Sequence, residues 1–362
     1  DLTGAFADGA ILFPLMAALA VQMGMNGAML LATAGIAYIA AGFIFRVPMS
    51  VQPLKSVVVA ALALGASADE VGYSGLVVGV CCLALSFCKA DRLAALVPRH
   101  LVHGLQLALG IMLITKGVKS GLFEQGPYLA ALFIFLTATI LLLSVRADKP
   151  VMGWIAAVGI LGGVAIAFNG GHELVRPSTN GIIHLKTIFS LALSQLVLTL
   201  ANSVVGTCDV AQRYFGDAAR LVTPTRLLRS IGIGNILVAP LGGLPFCHGA
   251  GGVTAHIKGG AKSWHMNLII GAVLLGLAAL SVSMAMPLIP AYPQILMAAL
   301  LLATGWFHML LAKVSWGQAD LRWILVAMGL AALITQDMLW VLVIGVAGEG
   351  IRHLIWVRRQ RI

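Results

Sequence analysis

Two stretches decide the fold. The first is Val47-Pro48-Met49-Ser50-Val51-Gln52-Pro53-Leu54-Lys55-Ser56 and the second is Leu244-Pro245-Phe246-Cys247-His248-Gly249-Ala250-Gly251-Gly252. Each is a polar break, punctured by proline or glycine, between apolar runs. Open backbone in hydrocarbon is costly unless protein or water covers it. Two such breaks, similarly placed in two halves, are the sequence pointer to a transporter's central binding site.

The surroundings are those of a membrane protein. The chain has 362 residues, of which 60% are hydrophobic and 10% charged, and its mean hydropathy is +0.99. That composition excludes a large soluble domain. The reading is an all-α integral membrane protein with about fourteen transmembrane or half-membrane segments. The first seven lie near 10–27, 28–45, 51–66, 71–88, 93–114, 127–145 and 151–168. The others lie near 184–205, 230–243, 248–258, 265–284, 291–312, 322–335 and 337–348. Several fall short of the roughly 20 residues that one crossing needs, including 51–66 and 248–258, which follow the breaks. These should be half-helices or re-entrant elements.

Charge placement orients the segments. With a cytoplasmic N-terminus, eighteen Lys and Arg residues collect on one side, against Lys116, Lys119, Arg176 and Lys186 on the other. Both termini are therefore expected in the cytoplasm of a cell with this protein in its inner or plasma membrane. The same distribution accounts for the net charge of +10 without nucleic acid, because the basic residues are spread over short loops. Nothing near Asp1 resembles a signal peptide. The polar stretch 169–183 separates a first membrane repeat, 1–168, from a second, 184–350, with a basic tail at 351–362. Seven elements per half reverse the second half, which permits a seven-plus-seven inverted repeat. Abundant Gly and Ala serve close helix packing, and such faces are equally candidates for joining a homodimer in the lipid bilayer.

The breaks carry the chemistry. Pro48 helps end one helix and Pro53 suits the first turn of the next, placing Leu54, Lys55 and Ser56 at a helix N-terminus inside the bundle. Free N–H groups and the positive dipole end favour an anion there. Lys55 either adds to that field or snorkels to a helix end or a structural carboxylate. Gln52 and Ser56 are candidate donors. In the second break, Gly249, Ala250 and Gly251 let backbone N–H groups approach a ligand closely. His248 has three readings: a donor to an oxyanion, an acceptor of a coupling proton, or a partner for a nearby carbonyl. Gln22, Gln106, Gln195, Asn202 and Cys247 supply further wall candidates, with packing the competing role for the amides. Asp8 and Asp209, near element ends, are candidate coupling residues or helix caps.

No enzyme, metal or cofactor pattern competes. Gly249–Gly252 is followed by Val253-Thr254 rather than a Walker lysine, and His248 and His256 lack a metalloprotease spacing. The cysteines Cys81, Cys82, Cys88, Cys208 and Cys247 match no disulfide framework or zinc site.

Several stretches resemble the molybdate-transporter family related to sulfate permeases. They are Leu2-Thr3-Gly4-Ala5-Phe6-Ala7-Asp8-Gly9, the Pro48–Ser56 break, His103-Gly104-Leu105-Gln106-Leu107-Ala108-Leu109-Gly110, and Pro245–Gly252 continuing to Gly259-Gly260-Ala261-Lys262. The resemblance covers both repeats. It implies the inverted fold shared with sulfate permeases and nucleobase carriers, with substrate between the facing N-termini of the third and tenth elements. It also maps an eighth-element contact to Asn202, where a neutral amide suits an anion. Ala7, Ser50 and Leu54 depart from the family's glycine, proline and methionine, and Ser50 loosens the first break. The expected function is a secondary transporter importing molybdate by alternating access, with sulfate or tungstate as further substrates and proton symport as a coupling mode. The alternatives are a sulfate, bicarbonate or organic-anion exchanger, or an anion channel.

Overall fold

The computed structural model describes residues 1–88, 98–146, 151–168, 183–283, 288–289 and 292–360. The expected connection at 169–183 and the start of the fifth segment, 93–97, fall almost wholly outside them. Among the described residues a short turn of helix, Leu2–Ala5, leads into fourteen principal elements, with a second short turn, Lys313–Trp316, between the twelfth and thirteenth. The first half has α1 (Gly9–Met23), α2 (Gly27–Phe45), α3 (Lys55–Leu64), α4 (Ala68–Leu85), α5 (Arg99–Val118), α6 (Pro127–Arg146) and α7 (Val151–Phe168). The second has α8 (Leu185–Leu198), α9 (Pro224–Val238), α10 (Ala250–Lys258), α11 (His265–Ser283), α12 (Gln294–Leu311), α13 (Ala319–Thr335) and α14 (Met338–Gln360). Seven helices among the described residues are long and apolar enough to cross a membrane.

Two boundaries differ most from the sequence expectation. The eighth element does not stop at 205: a π-helical stretch, Thr199–Gly206, carries it into a further α-helix, Thr207–Phe215. The last element runs past 348 as helix to Gln360, so much of the basic tail is helical. Hydropathy locates the apolar part of a helix, and a polar extension continues it unseen. Local caps fix the other starts. The Asn26 side chain accepts from the N–H groups of Ala28 and Met29, and Ser67 with Glu70 closes a capping box at α4.

The inverted repeat is written in the packing. Advancing an element by seven exchanges partners: α2 packs on α11 and α9 on α4, while α5 packs on α13 and α12 on α6. The α5–α12 pair maps onto itself. Three back-to-back glycine contacts follow the same rule. A Cβ on Gly35 would lie 2.8 Å from the carbonyl of Gly271, and one on Gly271 would lie 2.8 Å from that of Gly35. The counterpart pair, Gly79 and Gly232, would meet each other's carbonyls at 3.0 Å both ways. On the self-mapping pair, Gly110 and Gly305 would do so at 2.5 and 2.7 Å. Helix backbones touch at these points because no side chain stands between them.

The third and tenth elements are the short ones, with 10 residues in α3 and 9 in α10. At about 1.5 Å per residue neither spans a hydrocarbon core of about 30 Å. Each is preceded by a two-residue strand, β1 (Gln52–Pro53) and β2 (Phe246–Cys247). The strands pair antiparallel, Gln52 opposite Cys247 and Pro53 opposite Phe246. The N–H of Leu54 extends the ladder to the carbonyl of Pro245 at 2.9 Å. Because antiparallel strands feed both half-helices, α3 and α10 run apart with their N-termini facing.

Candidate anion site

The site is assembled where α3 and α10 begin, buried within the protein. In the first break, Met49 is held by Asn267 of α11: its N–H donates to Oδ1 at 3.0 Å, and Nδ2 donates to its carbonyl at 2.7 Å. Asn235 of α9 holds Phe246 of the second break in the same way, at 2.9 and 2.7 Å. An amide side chain thus supplies the neighbour that a longer strand would have given, as buried backbone requires. Ser50 ties the breaks together by donating its hydroxyl to the carbonyl of Gly249 at 2.8 Å. The departure from proline at this position therefore adds a cross-break bond.

Lys55 begins α3 and is buried, 4% exposed. Among the described residues its ammonium forms no ion pair within 4.0 Å. Lys55 is thus buried rather than snorkelled to the surface, with the Asp8 carboxyl within Coulombic reach of it. Gln52 is fully buried and donates Nε2 to Asp8 Oδ1 at 2.6 Å. Gln52 Oε1 and Asp8 Oδ2 remain buried without a partner. Asp8 makes no side-chain cap to α1, so its role is not that of a helix cap.

The glycines of the second break make room for this cluster. A Cβ on Gly252 would fall 2.5 Å from Asp8 Oδ2 and 2.6 Å from Gln52 Nε2. A Cβ on Gly249 would strike Gln52 Oε1 and stand 3.5 Å from Asn202 Nδ2. Gly251 is exposed, and a Cβ there would meet nothing within 4 Å. Ala250 and Gly251 lie in the first turn of α10, where N–H groups have no partner within their own helix. Asn202 sits in the π-helical stretch of the eighth element, half-buried beside Gly249. π-Helical turns frequently mark functional sites. Cys247 is buried in β2 opposite Gln52.

Other sequence candidates take different places. His248 is spent on structure: Nδ1 faces the carbonyl of Ser50 at 2.7 Å and Nε2 faces the Ser230 hydroxyl at 2.9 Å. The third of its three readings fits this arrangement. Ser56 gives its N–H to Gln195 Oε1 and its hydroxyl to Ser194, both at 2.9 Å, so it docks α3 on α8. Gln106 is buried against His308 Nδ1 at 2.5 Å, on the α5–α12 seam, and His308 lies within Coulombic reach of Lys55. Gln22 is exposed near the end of α1. Asp209 is exposed and pairs locally with Arg213 at 3.1 Å, outside the cluster. Sequence reasoning passed over Asn267 and Asn235; a lone amide inside an apolar helix, as in Met266-Asn267-Leu268, was the available signal.

Comparison with known proteins gives this arrangement a family. A family model described as "Molybdate transporter of MFS superfamily" matches residues 1–113 and 187–309. The chain belongs to the molybdate transporter family. Among its relatives, molybdate transporter 1 of Chlamydomonas reinhardtii is 25% identical, covering 84% of this chain and 82% of the relative. Molybdate transporter 1 of Arabidopsis thaliana is 24% identical, covering 84% and 78%. Among solved structures, the transmembrane domain of the cyanobacterial bicarbonate transporter BicA aligns with a TM-score of 0.66 at 17% identity, covering 96% of both chains. The murine solute carrier 26 family member A9 anion transporter aligns at 0.73 and 13% identity, covering 98% of this chain and 68% of that one. The fold of this family member is the seven-plus-seven inverted repeat of those transporters, rather than the nested three-plus-three repeats of MFS halves.

Proposed function

We propose that this protein imports molybdate by alternating access, with tungstate and sulfate as weaker substrates. The observation that carries the reading is Lys55, a buried ammonium without an ion-pair partner among the described residues, at the N-terminus of one of two facing half-helices. Fixed positive charge, two helix dipole ends and small residues that admit close backbone approach together suit a tetrahedral dianion. Gln52, Asn202 and the first-turn N–H groups of Ala250 and Gly251 are the proposed donors, with Gly249 leaving the space. His248 and Ser56 are proposed to hold the two breaks rather than to touch substrate.

Packing supports a division into moving parts. One group gathers α2, α4, α9 and α11; another gathers α5, α6, α12 and α13. We propose that the first, which clamps both breaks through Asn267 and Asn235, moves against the second to expose the site on each side in turn. Asp8 is the proposed proton carrier, since it is a buried carboxyl beside Lys55. An inner or plasma membrane with both termini cytoplasmic is the proposed setting, which the basic bias of the sequence supports.

The test is uptake into proteoliposomes of purified protein, comparing molybdate, tungstate, sulfate and bicarbonate under controlled pH gradients. The expected result is saturable uptake with molybdate preferred. Transport of neutral nucleobases with no uptake of any oxyanion would overturn the reading. Preference for bicarbonate would favour the exchanger alternative, for which the BicA-like fold is the supporting observation.

A further inference from the structure

We propose that the Gln52 side-chain amide is a proton-driven switch that turns a donor toward the oxyanion only when Asp8 carries a proton. This deepens the transport reading and rests on it. In the structure Nε2 of Gln52 is tied to Asp8 Oδ1 at 2.6 Å. That bond turns the other end of the amide, Oε1, toward Gly249 and Asn202. Oε1 is buried there with no partner. An acceptor oxygen facing an oxyanion repels it, so the arrangement with an ionised Asp8 disfavours substrate.

Protonation at Oδ1, the oxygen that faces Gln52, reverses both ends. A carboxyl with its proton on Oδ1 becomes a donor, and an amide can answer it only through its oxygen. Rotation of about 180° about the terminal, softly two-fold torsion of Gln52 supplies that oxygen. Nε2 then points toward Gly249 and Asn202 as a donor, while the negative charge on Asp8 is gone. The proton enters and leaves with the oxyanion, held on Asp8; no other bond is made or broken. The cost of the orphaned acceptor and the gain of a charge-assisted donor fall on opposite protonation states, which links the two ligands.

The groups around Asp8 fit this role. Lys55 of α3, Cys247 of β2 and Tyr38 of α2 lie within Coulombic reach. His256 of α10 faces the carbonyl of Gly4 through Nδ1 at 2.7 Å, and His308 of α12 is held by Gln106. Lys55 thus supplies the fixed charge, and Asp8 is the carboxyl whose partner is the amide itself. Gly252 allows the contact, since a Cβ there would fall 2.6 Å from Gln52 Nε2.

The test measures molybdate dissociation constants of the purified full chain at pH 6 and pH 8, with size exclusion and thermal unfolding to check folding. Wild type should bind about tenfold or more tightly at pH 6, the scale of one hydrogen bond to a charged group. Asp8→Asn should bind as tightly at both values as wild type does at pH 6, because an amide at position 8 can donate to Gln52 Oε1 permanently. Gln52→Leu should bind weakly at both. Equal wild-type affinity at the two pH values, or pH dependence retained in Asp8→Asn, would overturn the switch. Absence of molybdate binding by folded wild type at either pH would instead overturn the transport reading.

Discussion

Asn267 grips Met49 by both backbone groups, accepting its N–H at 3.0 Å and donating to its carbonyl at 2.7 Å. All these atoms are buried, so Asn267→Ala strands a donor and an acceptor that water cannot reach. The expected loss is about 2–6 kcal/mol, from two orphaned groups at about 1–3 kcal/mol each. Thermal unfolding in detergent should show a lower Tm, and Asn235→Ala should behave alike through Phe246. Unchanged stability in both variants would mean that the clamps are dispensable.

Lys55→Ala should weaken molybdate binding by about tenfold to a hundredfold, the worth of about 1.5–3 kcal/mol for a hydrogen bond to a charged group. Folding should survive, because the Asp8 carboxyl keeps its hydrogen bond from Gln52 Nε2 when the ammonium is lost. Lys55→Arg should not restore affinity, since a planar fork cannot occupy the place of a compact ammonium. Equilibrium binding to purified variants checks both.

Two adjacent glycines should part company. Gly252→Ala drives a methyl to within 2.6 Å of Gln52 Nε2 and Ser50 Cβ, whereas Gly251→Ala meets nothing within 4 Å. Overpacking of this kind costs about 1–3 kcal/mol, and an open position about 0.5 kcal/mol or less. Paired melting curves should therefore separate the two variants, with Gly252→Ala also losing uptake.

His248→Ala should lower stability and leave the direction of the pH response intact. Its ring nitrogens face the Ser50 carbonyl and the Ser230 hydroxyl, and the Phe45 and Phe246 rings flank it edge-on at 5.2 and 5.8 Å. The loss should be about 1–3 kcal/mol for each group left unpaired. Uptake driven by an imposed pH gradient, normalised to folded protein, distinguishes this from a proton-carrying histidine, whose removal would abolish the response.

How much of this was legible in the chain varied with the range of the interaction. Segment positions and the two breaks follow from local composition, and every expected apolar segment has its helix. The third and tenth places of the short elements were equally visible, since proline and glycine interrupt hydropathy within a few residues. The role of His248 was not legible, because its ring faces the carbonyl of Ser50, 198 residues away in sequence. Asp8 read as a candidate coupling residue or helix cap, and the choice was open for a similar reason: its partner Gln52 lies 44 residues on, across the bundle. The Asp209–Arg213 pair was legible from sequence alone, as the two stand four residues apart on one helix face. The glycine pairs needed the fold, because a glycine in an apolar helix does not announce which other glycine it faces.

The cross-repeat bonds of the first break also impose a timetable on biogenesis. Ser50 waits 199 residues for Gly249, and Met49 waits 218 for Asn267. At about 5–20 residues per second, translation separates those partners by roughly 10–40 s. Throughout that interval the nascent first half holds a polar strand, a lysine and a carboxyl that have no second half to receive them. Stable burial of the break in lipid must therefore follow synthesis of the eleventh element, and the insertion machinery has to shelter the early half until the late one arrives.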